Sequence, residues 1–252
     1  MKKTIMKTLR EIERRHDIRI IYAVESGSRA WGFASPDSDY DVRFVYVRRP
    51  EDYLRLERTR DVIEWQLDET LDINGWDLQK MLRLLHKSNP TVFEWNASPV
   101  VYDTTPEWAS LQPMIRSCFL KKPELYHYLS MAKSNYREYL RGNTVRLKKY
   151  FYVLRPLLAC RWILEKGSPP PVEFRALMEA CLPAELTEAV ERLLFLKVNT
   201  PELAEGPRVD ALNDLIEKSM VDLAEKIPCM SDDAPTAWDA LNQTFYEILN
   251  AT

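Results

Sequence analysis

The chain has 252 residues, of which 46% are hydrophobic and 29% charged, with a formal net charge of −3. That length suits one large or two modest domains with ample core, and the balance of charge gives no overall basic field for nucleic acid, although local patches survive in such a balance. No run of 18 apolar residues occurs, which argues against a membrane-spanning helix, and four scattered cysteines with three histidines argue against structural zinc.

Read in chain order, Ile5, Leu9 and Ile12 recur at helical spacing and predict a helix over residues 3–15. The basic start of this segment lacks the apolar stretch of a signal peptide, so it reads as an amphipathic helix and secretion is not indicated. Cys118, Cys160, Cys181 and Cys229 then read as buried free thiols in a reducing cytoplasm. "IRIIYAVES" (18–26) predicts a strand broken by Gly27, "SRAWGF" can start a helix at Ser28, and "ASPDSD" is loop chemistry. "YDVRFVYV" predicts a second strand, with Asp39, Asp41 and Arg43 on one face and Tyr40, Val42 and Phe44 on the other. "DVIEWQL" and "ETLDINGW" predict two more strands, turning around Asp68 and Glu69. A helix at 78–86 follows, capped by Asp77, then one started by Asn89 and Pro90, and "SPVVYD" predicts a last strand. "TPEWASLQPMI" repeats the Thr cap and Pro start, and helices are expected at 123–140, 144–165, 172–181, 184–198, 208–226 and 235–249. The fold class is therefore α+β, with domains over 1–110 and 111–252.

The informative stretch is "ESGSRAWGFASPDSDYDVRFVYV", residues 25–47. Side chains at i and i+2 of a strand point the same way, so Asp39 and Asp41 can reach a pair of divalent cations about 3.5 to 4 Å apart. Magnesium takes one or two carboxylates plus phosphate oxygens. A strand ending in Gly27-Ser28 at a helix start turns backbone N–H groups and a hydroxyl toward an anion. Either feature alone also reads blandly, the aspartates as a solvated strand face and the serine as a helix cap. Together they put a phosphate cradle and a metal site on neighbouring strands.

Gly-Ser, ten residues, then Asp-x-Asp resembles the nucleotidyltransferase signature of the DNA polymerase β superfamily. Gly27-Ser28-Arg29, Trp31-Gly32 and Ser38-Asp39-x-Asp41-x-Arg43 resemble a bacterial subfamily of predicted nucleotidyltransferases, one branch of which accompanies RNA-repair genes. "LQKMLRLLHKSNPTVFEW", "RLKKYFYVLRPLLACRWI" and "PPPVEF" extend the resemblance over most of residues 20–175. It implies a polymerase-β-like core, a mixed sheet with flanking helices, followed by an all-helical domain that closes the cleft. It also implies a third carboxylate on an adjacent strand. Asp72, between Leu71 and Ile73, is the choice; Asp68 falls in the turn, Asp77 in a cap, and Glu64 is the remaining competitor.

Residues 137–161 carry seven basic side chains and one acid, Glu138. On a helix, Lys148, Tyr152 and Arg155 flank the stripe of Leu147, Phe151, Leu154 and Leu158, offering charge for a triphosphate and a ring for its base; a solvated basic face is the plain alternative, and Pro156 is expected to kink the helix. The expected activity is transfer of a nucleoside monophosphate from an NTP to an acceptor hydroxyl, with release of pyrophosphate. Asp39, Asp41 and Asp72 would be catalytic and hold two Mg²⁺ (or Mn²⁺), and Gly27, Ser28, Arg29, Lys148, Tyr152 and Arg155 would bind nucleotide. The acceptor is expected to be an RNA or tRNA end; a protein hydroxyl, a small molecule and a non-catalytic nucleotide-binding module are the alternatives.

Overall fold

The computed structural model describes residues 1–68, 70–199 and 205–251. These form two compact units. A sheet unit contains Met1–Ala30, Asp39–Phe119 and the chain from Pro235 on; a helical unit contains Trp31–Ser38 and Leu120–Ala234.

The sheet unit begins with α1 (Lys2–His16), which buries Ile5, Leu9 and Ile12 to 1% exposure or less. Full burial of each such side chain contributes about 1.5–3 kcal/mol. The chain then runs through β1 (Arg19–Glu25), α2 (Gly27–Ala30), β2 (Tyr40–Val47), α3 (Pro50–Tyr53), β3 (Val62–Asp68), β4 (Leu71–Asp77), α4 (Leu78–His86), α5 (Pro90–Asn96), β5 (Val101–Thr104), α6 (Pro106–Ser110) and α7 (Gln112–Ser117). The sheet order is β3-β4-β2-β1-β5. Only β2 and β4 pair in parallel; the other pairs are antiparallel.

The alternation along β2 sorts its side chains into two layers. Val42, Phe44 and Tyr46 pack with α1, Leu71 and Ile73. Val45 and Val47 pack with α4, α5 and α7. Asp41 and Arg43 share that second face by the pleat, at the end of the strand where the apolar cover stops. The caps expected from sequence are made: Asp77 accepts from the Gln79 N–H at 2.8 Å and Asn89 from the Thr91 N–H at 3.0 Å. Of the turn expected at Asp68 and Glu69, Asp68 closes β3 and Glu69 lies outside the described residues.

The helical unit contains α8 (Lys121–Tyr139), β6 (Thr144–Arg146), α9 (Lys149–Lys166), α10 (Phe174–Cys181), α11 (Thr187–Asn199), β7 (Glu205–Pro207) and α12 (Asp210–Lys226). It is not wholly helical. The helix expected from residue 144 starts at Lys149, because Thr144–Arg146 pairs antiparallel with Glu205–Pro207. Helix α9 runs through Pro156 without interruption.

The last helix, α13 (Trp238–Asn250), returns to the sheet unit. Its Leu241, Phe245 and Ile248 join the core around α4 and α5, and its Trp238 stacks on His86 with ring centroids 3.8 Å apart. The break between units thus falls after Phe119, later than the change of periodicity, and the final helix does not follow the helical segments before it. Cys118, Cys160 and Cys181 are buried thiols, but Cys229 is exposed. Among the described residues, no helix is long and apolar enough to cross a membrane.

Candidate active site

The site is built where β1, β2 and β4 end together. Gly27 follows β1 at φ +59°, a conformation that an L side chain reaches only at a cost of about 1–2 kcal/mol. A Cβ there would also collide with the Asp41 carboxylate, whose Cγ would lie 2.9 Å away. The glycine is therefore required twice, once for the turn and once for the close approach of Asp41. The Ser26 N–H donates to the Asp41 carbonyl at 2.8 Å and ties this turn to β2. Ser28 lies in the one-turn helix α2.

Asp41 and Asp72 are register partners across the parallel β2–β4 pair, which puts their side chains on one face. Arg43 joins them. Its Nη2 donates to Asp41 Oδ1 at 3.0 Å and to Asp72 Oδ2 at 2.8 Å. Its Nη1 donates to the carbonyls of Val42 and Asp72. The Asp72 side chain is 53% exposed, whereas Arg43 is 18% exposed, so the pair opens outward from a held guanidinium. Burial pushes the Asp41 carboxyl above its ordinary range; Arg43 opposes this, and the charges of Asp72 and Asp39 add to it. All three aspartates thus act on one another. Asp39 precedes β2, and its carbonyl accepts from Arg29 Nε at 3.0 Å, while the Arg29 guanidinium lies 3.7 Å over the Tyr40 ring.

Sequence reasoning missed Glu25. Its carboxylate is 1% exposed, accepts the Asp41 N–H at 2.7 Å, and accepts the Tyr102 hydroxyl. Burial raises its pKa, against the pull of these two hydrogen bonds. A charged residue closing the apolar run "IRIIYAV" is the signal that could have found it.

The helical-unit candidates divide. Lys148 stands just before α9. The Tyr152 ring meets Trp31 edge-on at 5.5 Å, and the Lys149 ammonium lies 4.8 Å from it. Arg155 is corrected: it is 2% exposed, its Nε and Nη2 each donate to the Val172 carbonyl at 3.3 Å, and its guanidinium lies 4.7 Å over Trp31. A guanidinium so placed serves the interior and is not offered to a nucleotide. The reason is that α9 is buried on most of its circumference, from Val153 to Cys160 without a break, so its apolar stripe does not mark an edge.

Among the described residues, no group of three or more His, Cys, Asp or Glu is arranged to hold a metal ion. The donor chemistry nevertheless fits Mg²⁺, which binds hard oxygens and needs only one or two carboxylates beside phosphate. Arg43 takes up the positive charge between Asp41 and Asp72.

Comparison with known proteins agrees with this chemistry. A curated relative, an uncharacterized protein YcgL of Bacillus subtilis (strain 168), is 46% identical over 229 residues, covering 89% of this chain and 87% of that protein. A solved structure of a nucleotidyltransferase-like protein from Exiguobacterium sibiricum 255-15 is 17% identical with a TM-score of 0.33, covering 89% of this chain and 75% of the other. The profile of the RlaP family, described as the RNA repair pathway DNA polymerase beta family, matches residues 1–247. The chain, with its mixed sheet, its Gly-Ser turn and its aspartates, belongs to that family.

Proposed function

We propose that the sheet unit transfers a nucleoside monophosphate from an NTP to an acceptor hydroxyl. The observation that carries this is the in-register pair of Asp41 and Asp72, bridged by Arg43 beside the glycine turn at Gly27. In the reaction, the acceptor oxygen bonds to the α-phosphorus as the bond from that phosphorus to the bridging oxygen breaks, and pyrophosphate leaves. The hydroxyl proton goes to Asp72, the more exposed carboxylate, which at an ordinary carboxylate pKa is ionised and ready to accept it. Asp39, Asp41 and Asp72 would hold Mg²⁺, which when bound supplies charge that orients the triphosphate and stabilises the leaving group. Gly27 lets the nucleotide tail approach the backbone, and Ser28 offers it a hydroxyl. Glu25 holds the Asp41 backbone from beneath. Arg29 and Arg43 offset the negative charge that gathers as substrate enters.

The acceptor proposed is the hydroxyl at an RNA end, in keeping with the family description. The test incubates the protein with Mg²⁺ and each labelled NTP, in the presence of total RNA and separately of cell lysate. Label on RNA that vanishes with ribonuclease supports this reading. Label on protein or on a small molecule replaces the acceptor, and no label anywhere contradicts transfer itself.

A further inference from the structure

Residues Trp31–Ser38 lie between the Gly-Ser turn and the aspartates in sequence, yet they pack in the helical unit. Within them Ser35 and Ser38 form a small turn. The Ser38 N–H donates to the Ser35 carbonyl at 3.0 Å, the Ser35 N–H donates to Ser38 Oγ at 2.9 Å, and the two hydroxyl oxygens are 2.9 Å apart. Lys197 of α11 reaches this turn. Its Nζ donates to Ser35 Oγ at 3.1 Å, and the residue is 9% exposed.

That is an unusual place for an ammonium. It carries three donors and full charge, and here its hydrogen-bond partner among the described residues is a single neutral hydroxyl. Taking such a charge out of water costs several kcal/mol, which one hydroxyl does not offset. Burial lowers the pKa of Lys197, and the charge of Lys148 lowers it further; Asp37 acts in the opposite sense but forms no ion pair with Lys197 among the described residues. If Lys197 served only to brace the turn, an uncharged side chain would do so at less cost. A buried cation beside a second lysine and a pair of hydroxyls is instead under-compensated until an anion arrives.

We propose that Lys197, with Lys148 and the Ser35 hydroxyl, binds a phosphate group in the helical unit. A phosphate accepts several hydrogen bonds at once and suits lysines acting as point charges. The same group is carried by the polyphosphate of a nucleotide and by RNA, so the ligand is defined by that shared chemistry. This inference stands on the helical unit alone and does not depend on the transfer reaction.

The test uses the full chain in EDTA, so that metal-bridged binding at the aspartates is absent. Binding of pyrophosphate is measured by calorimetry, with thermal melting alongside. Lys197→Met should weaken pyrophosphate binding about tenfold or more, the loss of one charge-assisted contact. The same substitution should raise the ligand-free melting temperature, because it removes the buried charge. Lys197→Arg should retain most of the binding, and Asp39→Asn with Asp41→Asn should leave it intact. A 5′-phosphorylated oligoribonucleotide that competes with pyrophosphate, when its dephosphorylated twin does not, assigns the site to RNA; competition by tripolyphosphate alone assigns it to nucleotide. Unchanged pyrophosphate binding in Lys197→Met, or a lower ligand-free melting temperature, overturns the proposal.

Discussion

Two glycines at positive φ offer a matched pair of perturbations. Gly27 is at +59° and Gly32 at +84°. Alanine at either position meets backbone strain of about 1–2 kcal/mol. For a chain of this size that corresponds to a fall of about 2–8 °C in melting temperature. Only at Gly27 does the new methyl also meet a side chain, the Asp41 carboxylate; at Gly32 nothing lies within 4 Å. Gly27→Ala must therefore move Asp41 away from the turn and disturb its 3.0 Å contact with Arg43. A shift of about 1 Å in a positioned catalytic group costs about 100-fold in rate. The assay pairs thermal melting with nucleotide transfer under Mg²⁺. Both variants should melt earlier by similar amounts, while Gly27→Ala alone loses about 100-fold in transfer. Equal activity in the two variants would refute the claim that the Gly27 turn exists to admit Asp41.

Glu25→Ala strands the Asp41 N–H and the Tyr102 hydroxyl, at about 1–3 kcal/mol for each unpaired group; chemical denaturation should show the loss, and Glu25→Gln, which keeps an acceptor oxygen, should restore most of it. Arg43→Met removes the cation between Asp41 and Asp72; its melting temperature should fall without divalent ions and rise more than that of the unsubstituted protein when Mg²⁺ is added. The Asp77 carboxyl, 3% exposed, is pushed up by burial to about 6 from an ordinary 3.8. A carboxyl raised in the folded state favours folding while protonated, so its contribution of about 3 kcal/mol is present below pH 4 and lost as pH rises through 6. Asp77→Asn, which keeps a capping side chain, should flatten that slope in denaturation curves between pH 4 and 7.

Local signals made most of the sheet unit legible. The apolar spacing of Ile5, Leu9 and Ile12, the caps at Asp77 and Asn89, and the alternation of Val42 and Phe44 against Asp41 and Arg43 each depend on near neighbours in sequence. What sequence could not supply was partnership. Alternation gives Asp72 a face, but its place beside Asp41 comes from the β2–β4 register. Glu25 reads as the end of a strand until its contacts with Asp41 and Tyr102 are seen. Helix α13 carries an amphipathic pattern that does not say which core it will enter. The β6–β7 pair joins two three-residue segments far apart in sequence, too short to announce a strand. Arg155 misled for a related reason: charge on a helix suggests exposure, whereas a bond to Val172 and a ring face at Trp31 hold this one inside.

The most direct measurement follows two labels in parallel, an NTP labelled at its α-phosphate and the same NTP labelled at its γ-phosphate, with Mg²⁺ and RNA. If Asp39, Asp41 and Asp72 serve nucleotidyl transfer, the α-label enters the RNA, the γ-label leaves in pyrophosphate, and Asp39→Asn with Asp41→Asn abolishes both. Transfer of the γ-label to the acceptor, or full α-label incorporation by the doubly substituted protein, would contradict it.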